Sequence, residues 1–270
     1  MNKQFLFASI TSFLLISMSS KADIPSLDVK QWLGYFIGIE EKKFHFGVTT
    51  TGEGVLMTMK RDGTPVVKNA AIKVRFEILE TMPDGKVISR KIKKETLTST
   101  QNAAIDPKEP ITFRGQVTGG AAFEATVMPE SKGFSLSGKI TGKGKIRNPV
   151  SFAITTAFSE PYKYRDKDDD VFEDKIKRDK IELKLTSGKQ VRLKFKDPIN
   201  PAALYPEGFT AAEIEMEAYR DTRFLFTATE KSKLVFEDKG GNALWNGFAL
   251  KWSVNEGADA SAEKVTFIIK

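Results

Sequence analysis

The sequence predicts an all-β protein: two tandem β-sandwich domains of immunoglobulin-like size, related by internal duplication, after a cleaved signal peptide. Three observations support this fold class. Apolar and polar residues alternate in short runs, as in strands that bury one face. Turn-forming pairs such as Asp62-Gly63 and Ser187-Gly188 separate these runs. The second half of the chain repeats features of the first half in the same order, as duplicated units do.

The first 22 residues predict an export signal. Met1-Asn2-Lys3 provides a positive start, an apolar stretch follows over 5–18, and Ser20-Lys21-Ala22 places small residues around a cleavage point. The apolar run is shorter than the roughly 20 residues that a membrane-spanning helix requires. We therefore expect a secreted or periplasmic protein that has no transmembrane helix after cleavage.

An N-terminal segment, 23–42, comes before the first predicted domain. Ser26 is a suitable N-cap for a short helix over 26–33. Trp32, Tyr35 and Phe36 cluster in this segment. We expect these rings to dock the segment onto the first domain, and an exposed aromatic patch is the alternative.

Two β domains are predicted, over 43–158 and 180–270. The strand candidates of the first domain are 44–49, 55–60, 72–79, 86–93, 111–117, 122–127, 134–140 and 150–158. Those of the second domain are 181–186, 191–196, 213–219, 223–229, 233–237, 248–254 and 264–269. This number of strands suits a sandwich, and a barrel of similar strands shares the same pattern.

The two predicted domains resemble each other in register. The segment 50–60 has the pattern of 186–196, and a Phe-Glu pair and a Gly-Phe pair recur later in the same order. These pairs are Phe123-Glu124, Phe236-Glu237, Gly133-Phe134 and Gly247-Phe248. We interpret the similarity as a duplication. The alternative is coincidence, because alternation alone produces matches between any two β-rich stretches.

A charged linker, 159–179, separates the predicted domains. Within it, Asp166, Asp168 and Asp170 present alternating carboxylates that suit calcium. Val171 and Lys177 stand where an EF-hand loop has its glycine and its last glutamate, and a solvated acidic linker is the alternative. No other cofactor is expected.

Composition excludes several chemistries. The chain has no cysteine, which removes disulfides, thiol catalysis and thiolate zinc sites. His45 is the only histidine, and alternation with Phe44 and Phe46 places it on the solvent side of a strand. Without a second ligand or an orienting partner, it predicts no catalytic or metal site.

Basic residues provide the ligand-binding prediction. The predicted basic edge consists of Lys86, Arg90, Lys91, Lys93 and Lys94, interleaved with apolar residues. Such an edge can bind a polyanion, and it can also protect a sheet from pairing with another sheet. Removal of the signal lowers the formal charge from +7 by two, to +5, which is also ordinary for solubility.

These features together predict an exported, non-enzymatic binding or structural protein that recognises polyanionic or glycan components of a cell envelope. No nucleic acid partner is expected. A secreted glycoside hydrolase that uses paired carboxylates is the alternative function. For Glu124 and Glu237, which recur in the duplication, the exposed side of a strand favours salt bridges over catalysis.

Overall fold

The computed structural model describes residues 32–66, 72–100, 109–159, 174, 176–197, 199–219, 222–229, 231–237, 244–258 and 262–270. The predicted signal peptide lies outside these residues, as do the predicted calcium ligands Asp166, Asp168 and Asp170. The described helices include none with the length and apolar character of a membrane span.

Strands are the main regular structure of the described chain, which confirms the all-β prediction. The first ten strands are β1 (Tyr35–Glu41), β2 (Phe44–Thr49), β3 (Glu53–Thr58), β4 (Ile72–Thr81), β5 (Val87–Arg90), β6 (Ile92–Ser99), β7 (Ile111–Val117), β8 (Ala122–Glu130), β9 (Gly133–Gly142) and β10 (Val150–Ser159). The next seven are β11 (Lys180–Leu185), β12 (Gln190–Lys194), β13 (Phe209–Glu215), β14 (Arg223–Ala228), β15 (Leu234–Phe236), β16 (Gly247–Asn255) and β17 (Val265–Ile269). The described residues also contain a short helix α1 (Pro201–Leu204) and the 3-10 turns Glu217–Tyr219 and Leu244–Asn246.

Residues that alternate between apolar and polar in the sequence alternate between buried and more exposed positions in the strands. In β4, Ile72, Val74, Phe76 and Ile78 are buried, and the residues between them are exposed or half-buried. This pattern follows from the two-residue period of a strand, which turns successive side chains to opposite faces. The predicted turn glycines Gly63 and Gly188 have φ values of 77° and 85°, a conformation that glycine adopts without steric cost.

The strands form one continuous antiparallel sheet of 17 strands that folds into two layers, which we call the first and the second sheet. In the first sheet the order is β1, β2, β3, β4, β10, β16, β15, and β5 pairs with the far end of β4. In the second sheet the order is β6, β7, β8, β9, β17, β14, β13, β11, β12. The sheets connect where Phe209 of β13 pairs with Leu234 of β15, and where the chain passes from β5 to β6 at Lys91.

Aromatic side chains fill the space between the sheets. Phe46 of the first sheet stacks on Phe134 of the second at 4.3 Å between ring centroids, and Phe76 meets Phe113 edge to face at 4.8 Å. The docking predicted for the N-terminal aromatic residues is also observed, since Trp32 and Phe36 are buried. Tyr35 to Glu41 form a strand there, which was not predicted.

The two predicted domains share both sheets and one hydrophobic cluster. Strand β16 of the second segment pairs with β10 of the first, and β17 of the second pairs with β9 of the first. This exchange covers strand edges that each segment alone would leave open. The predicted domains 43–158 and 180–270 therefore do not have separate hydrophobic cores. That the two segments arose as separate units stays a prediction.

Internal duplication also stays a prediction. The matched turns are alike, because the N–H groups of Gly52 and Gly188 each donate to a carbonyl three residues earlier, at 2.8 Å. The matched strands differ in their neighbours, because β3 lies between β2 and β4, whereas β12 pairs only with β11 among the described strands.

Candidate functional site

The outer face of the first sheet is built around strand β10. Strand β10 lies between β4 and β16 and is buried on both faces. Its outward side chains are small, and Ala153, Thr155 and Ala157 are at most 7% exposed. Longer side chains from the neighbouring strands therefore cover β10 on this face.

Four residues on this face form one row across the strands. Glu53 of β3 pairs with Arg75 of β4, Arg75 pairs with Thr155 of β10, and Thr155 pairs with Lys251 of β16. Directly opposed residues in adjacent strands point to the same side of a sheet. The antiparallel register therefore places two cations, one carboxylate and one hydroxyl side by side.

Arg75 is the centre of this arrangement. Its Nη2 donates to both carboxylate oxygens of Glu237, at 2.8 and 2.9 Å. Glu237 follows β15, and its N–H donates to the carbonyl of Ala249 in β16. The guanidinium can reach across β10 and β16 because the outward residues there, Ala157 and Ala249, are small.

Glu77 provides a second carboxylate beside the same arginine. Its Oε2 lies 3.8 Å from Nε of Arg75 and accepts a hydrogen bond from the Thr155 hydroxyl at 2.9 Å. Its Oε1 accepts a hydrogen bond from the Ser89 hydroxyl at 2.7 Å. We call the set of Glu53, Arg75, Glu77, Thr155, Glu237 and Lys251 the Arg75 face.

A cavity of about 240 Å³ adjoins the Arg75 face. It is lined by Thr51, Gly52, Glu53, Arg75, Phe76, Glu77, Ser89, Arg90, Lys91 and Ile92. Two members of the predicted basic edge, Arg90 and Lys91, thus lie beside Arg75 and Glu77. The remaining three, Lys86, Lys93 and Lys94, do not line this cavity.

Arg90 has a structural partner. Its guanidinium donates to the buried carboxylate of Glu80, which also accepts from Nδ2 of Asn148 at 2.6 Å. The hydrogen bonds from Arg90 and then from Asn148 hold the pKa of Glu80 below its ordinary value. Lys86, Lys91 and Lys94 are exposed and Lys93 is half-buried, and none of these four is in an ion pair of the described chain.

The recurring glutamates both form salt bridges. Glu124 accepts from Arg114 at 2.6 Å and from Lys139 at 3.1 Å on the second sheet. Burial acts to raise the pKa of Glu124, but these hydrogen bonds and charges outweigh burial and lower it. The two glutamates therefore differ in setting, because Glu237 adjoins a cluster of polar groups and a second carboxylate.

His45 is half-buried between β1 and β3 and does not join the Arg75 face. Its ring centroid lies 5.9 Å from that of Trp32, and its backbone pairs with Glu40. Burial lowers the pKa of His45, and the nearby Glu40 carboxylate partly offsets this effect. Among the described residues, His, Asp and Glu side chains form no group of three or more that suits a metal ion.

Sequence analysis did not identify Arg75, Thr155 or Lys251, because they lie on three strands far apart in the chain. The sequence of β10 does indicate that its outer face is covered, because Ala153, Thr155 and Ala157 occupy the outward positions. Small residues at alternate positions of a central strand indicate that larger groups cover that face. The identity of the covering groups depends on which strands pair with β10.

No protein-family model and no curated protein sequence matches the chain at a significant level. The solved structure of an alpha-N-acetylgalactosaminidase from Bifidobacterium bifidum, in complex with GalNAc, aligns with a TM-score of 0.51 and 11% identity. The alignment covers 87% of this chain and 36% of that enzyme, so the chain spans about a third of the enzyme's length.

Two further solved structures are similar over most of both chains. Slr1438 from Synechocystis sp. PCC 6803 has a TM-score of 0.49 and 10% identity, over 86% of this chain and 94% of the other. A galactose mutarotase-like protein from Lactobacillus casei has a TM-score of 0.45 and 11% identity, over 87% and 99%. At these identities, the alignment with the galactosaminidase shows a shared fold and assigns no role to any residue.

Proposed function

We propose that the chain is a non-enzymatic carbohydrate-binding protein and that the Arg75 face holds the sugar. One observation carries the proposal: the Arg75 guanidinium lies between the carboxylates of Glu237 and Glu77, and a cavity adjoins Arg75 and Glu77. Sugar hydroxyls both donate and accept hydrogen bonds. Carboxylates accept and guanidinium donates in fixed planar geometry, so this set can bind adjacent hydroxyls with defined orientation.

The Arg75 face contains one polar atom without a hydrogen bond and one lysine without an ion pair in the described chain. Nε of Arg75 is buried and has no hydrogen-bond partner among the described residues. Lys251 forms none of the ion pairs of the described chain, although it lies beside Thr155. The adjoining cavity of about 240 Å³ is smaller than the roughly 300–1,000 Å³ of most ligand pockets, which suits one sugar unit of a longer glycan.

A hydrolase is the alternative function. Glu77 and Glu237 both approach the guanidinium of Arg75, so two carboxylates lie close together beside a cavity. A pair of this kind is what glycoside hydrolysis requires. We prefer binding because both carboxylates already have hydrogen-bond partners within the protein: Glu237 accepts from Arg75, and Glu77 accepts from the hydroxyls of Thr155 and Ser89.

The experiment is a glycan-binding measurement on the mature chain and on Arg75→Met. N-acetylgalactosamine and galactose oligosaccharides are the first probes, because the galactosaminidase of shared fold was solved with GalNAc. We expect Arg75→Met to weaken binding at least about tenfold, the cost of removing a charged hydrogen-bond donor. Arg114→Met is the matched control, because Arg114 pairs with Glu124 on the other sheet.

Two results would oppose the proposal. Equal glycan binding by Arg75→Met and the unchanged protein would remove the Arg75 face as the site. Release of nitrophenol from nitrophenyl glycosides, abolished by both Glu77→Gln and Glu237→Gln, would replace the binding protein with the hydrolase. We also propose export, and N-terminal sequencing of the protein recovered outside the cytoplasm tests for cleavage after Ala22.

A further inference from the structure

A second cluster of charge lies at one end of the sandwich, away from the residues of the Arg75 face. Lys42 and Lys43 occupy the β1–β2 turn, and Lys60 and Arg61 follow β3. The cluster is completed by Lys132 in the β8–β9 turn and by Lys270 after β17. We call these six exposed residues the basic cleft.

Two cavities run along the basic cleft. One has a volume of about 640 Å³ and is lined by Lys42, Lys43, Met59, Lys60, Arg61, Val66, Thr222 and Lys270. The other has a volume of about 370 Å³ and is lined by Glu41, Lys42, Lys43, Phe44, Ser131, Lys132, Ile269 and Lys270. The cavities share Lys42, Lys43 and Lys270, so they form one extended depression that is larger than a single small ion requires.

Few acidic groups of the described chain lie near the basic cleft: Asp62 is close enough to Lys60 for their charges to interact, and Glu41 lines one of the cavities. None of the six cations takes part in the ion pairs of the described chain, whereas many other basic residues do. Glu41 is the one acidic side chain among the described residues that line the two cavities. Like charges held this close repel one another, and an anionic ligand would relieve that repulsion.

We propose that the basic cleft binds an anionic polysaccharide, through carboxylate or sulfate groups spaced along the polymer. The two adjoining cavities place six cations along one depression, so several anionic groups of one polymer can bind at once. Met59 and Val66, which are both half-buried, supply apolar contacts below the charges, and such contacts suit the carbon faces of sugar rings.

Two other polyanions fit the basic cleft less well. Single-stranded nucleic acid binds through exposed aromatic platforms, and the one aromatic residue lining the cavities, Phe44, is 2% exposed. An anionic membrane surface would be met by exposed large apolar side chains near the charges. The exposed large apolar residues of the described chain are Leu33, Val87, Met128 and Leu204, and none lines the cleft.

The test compares two pairs of charge reversals that change net charge equally. Lys42→Glu/Lys43→Glu alters the basic cleft, and Lys93→Glu/Lys94→Glu alters the predicted basic edge. The probes are heparin for sulfate, polygalacturonate for carboxylate, neutral dextran, and single-stranded DNA. Binding is measured at low and at physiological salt, and thermal unfolding checks that each variant folds.

We expect heparin or polygalacturonate to bind to the protein and dextran not to bind. Binding should weaken at least about tenfold as salt rises, because screening and counterion release reduce such contacts. It should also weaken at least about tenfold in the cleft variant and less than about twofold in the edge variant. Lys60→Glu/Arg61→Glu should repeat the effect of the cleft variant.

Three outcomes would contradict binding of an anionic polysaccharide in the basic cleft. These are no binding of either acidic polysaccharide, equal losses of affinity in the cleft and edge variants, or tighter binding of DNA than of both polysaccharides. The result is separable from the Arg75 face, because the basic cleft shares no residue with it. Arg75→Met should leave heparin binding unchanged, and the cleft variant should leave binding of neutral glycans unchanged.

Discussion

Arg75 and Glu237 are joined by two hydrogen bonds of 2.8 and 2.9 Å, although 162 residues separate them in the chain. Arg75 belongs to β4 of the first predicted domain, and Glu237 follows β15 of the second. The contact exists because β10 and β16 lie between them in one sheet and carry small outward side chains there. Exchange of strands between the two segments thus builds the candidate site.

This ion pair should contribute little to stability. The side chains of Arg75 and Glu237 are 41% and 29% exposed, so water and salt screen their attraction. We expect a double-mutant cycle with Arg75→Met and Glu237→Gln to give a coupling of about 0.2–1 kcal/mol, measured by urea unfolding. A coupling of several kcal/mol would mean that the pair is a structural element rather than part of a binding face.

Phe158 connects the two segments through the core. It stacks on Phe248 at 4.7 Å and meets Phe224 edge to face at 5.6 Å. Phe158→Ala should lower the free energy of unfolding by about 3–5 kcal/mol, because it leaves a large cavity. Calorimetry should show one transition that moves as a whole.

The control for Phe158→Ala is Leu204→Ala, which removes an exposed side chain and should change stability by less than about 0.5 kcal/mol. Two separate transitions, of which only one responds to Phe158→Ala, would contradict a shared core.

Gly138 in β9 is required by its neighbour in the core. A Cβ atom at this position would overlap the ring of Phe152 in the facing sheet. Gly138→Ala should destabilise the protein by about 1–3 kcal/mol, as overpacked cores are. Gly142→Ala in the same strand is the matched control, because a Cβ there meets no atom within 4 Å. Equal unfolding midpoints for the two variants would refute this packing.

His45 should make stability depend on pH. Burial lowers its pKa, so as pH falls the unfolded chain takes up a proton near the ordinary value of about 6.5 before the folded chain does. The free energy of unfolding should therefore decrease from pH 7 down to the lowered pKa. NMR titration of the one histidine gives that pKa directly, and a value at or above 6.5 would contradict the burial argument.

His45→Gln provides the comparison for the pH measurement. The substitution removes the titrating group at the same strand position. The decrease in unfolding free energy over this pH range should then become smaller. An unchanged decrease would assign it to other groups.

The sequence alone determined the all-β class, the positions of most strands and the turn glycines. These are local properties, because the two-residue period of a strand and the conformational freedom of glycine act within a few residues. It also predicted the salt bridges of Glu124 and Glu237, which the structure shows, whereas the ligand-binding role of the predicted basic edge stays a prediction.

Only the tertiary structure decided which strands are neighbours. Arg75, Thr155 and Lys251 form a row because β4, β10 and β16 pair in one register, and local alternation does not specify a partner strand. The basic cleft likewise brings together basic residues from turns far apart in the sequence. The predicted basic edge, in contrast, lies within the contiguous segment 86–94 and is therefore visible in the sequence. Strand exchange and sheet register are set by burial of the whole core, which no single segment encodes.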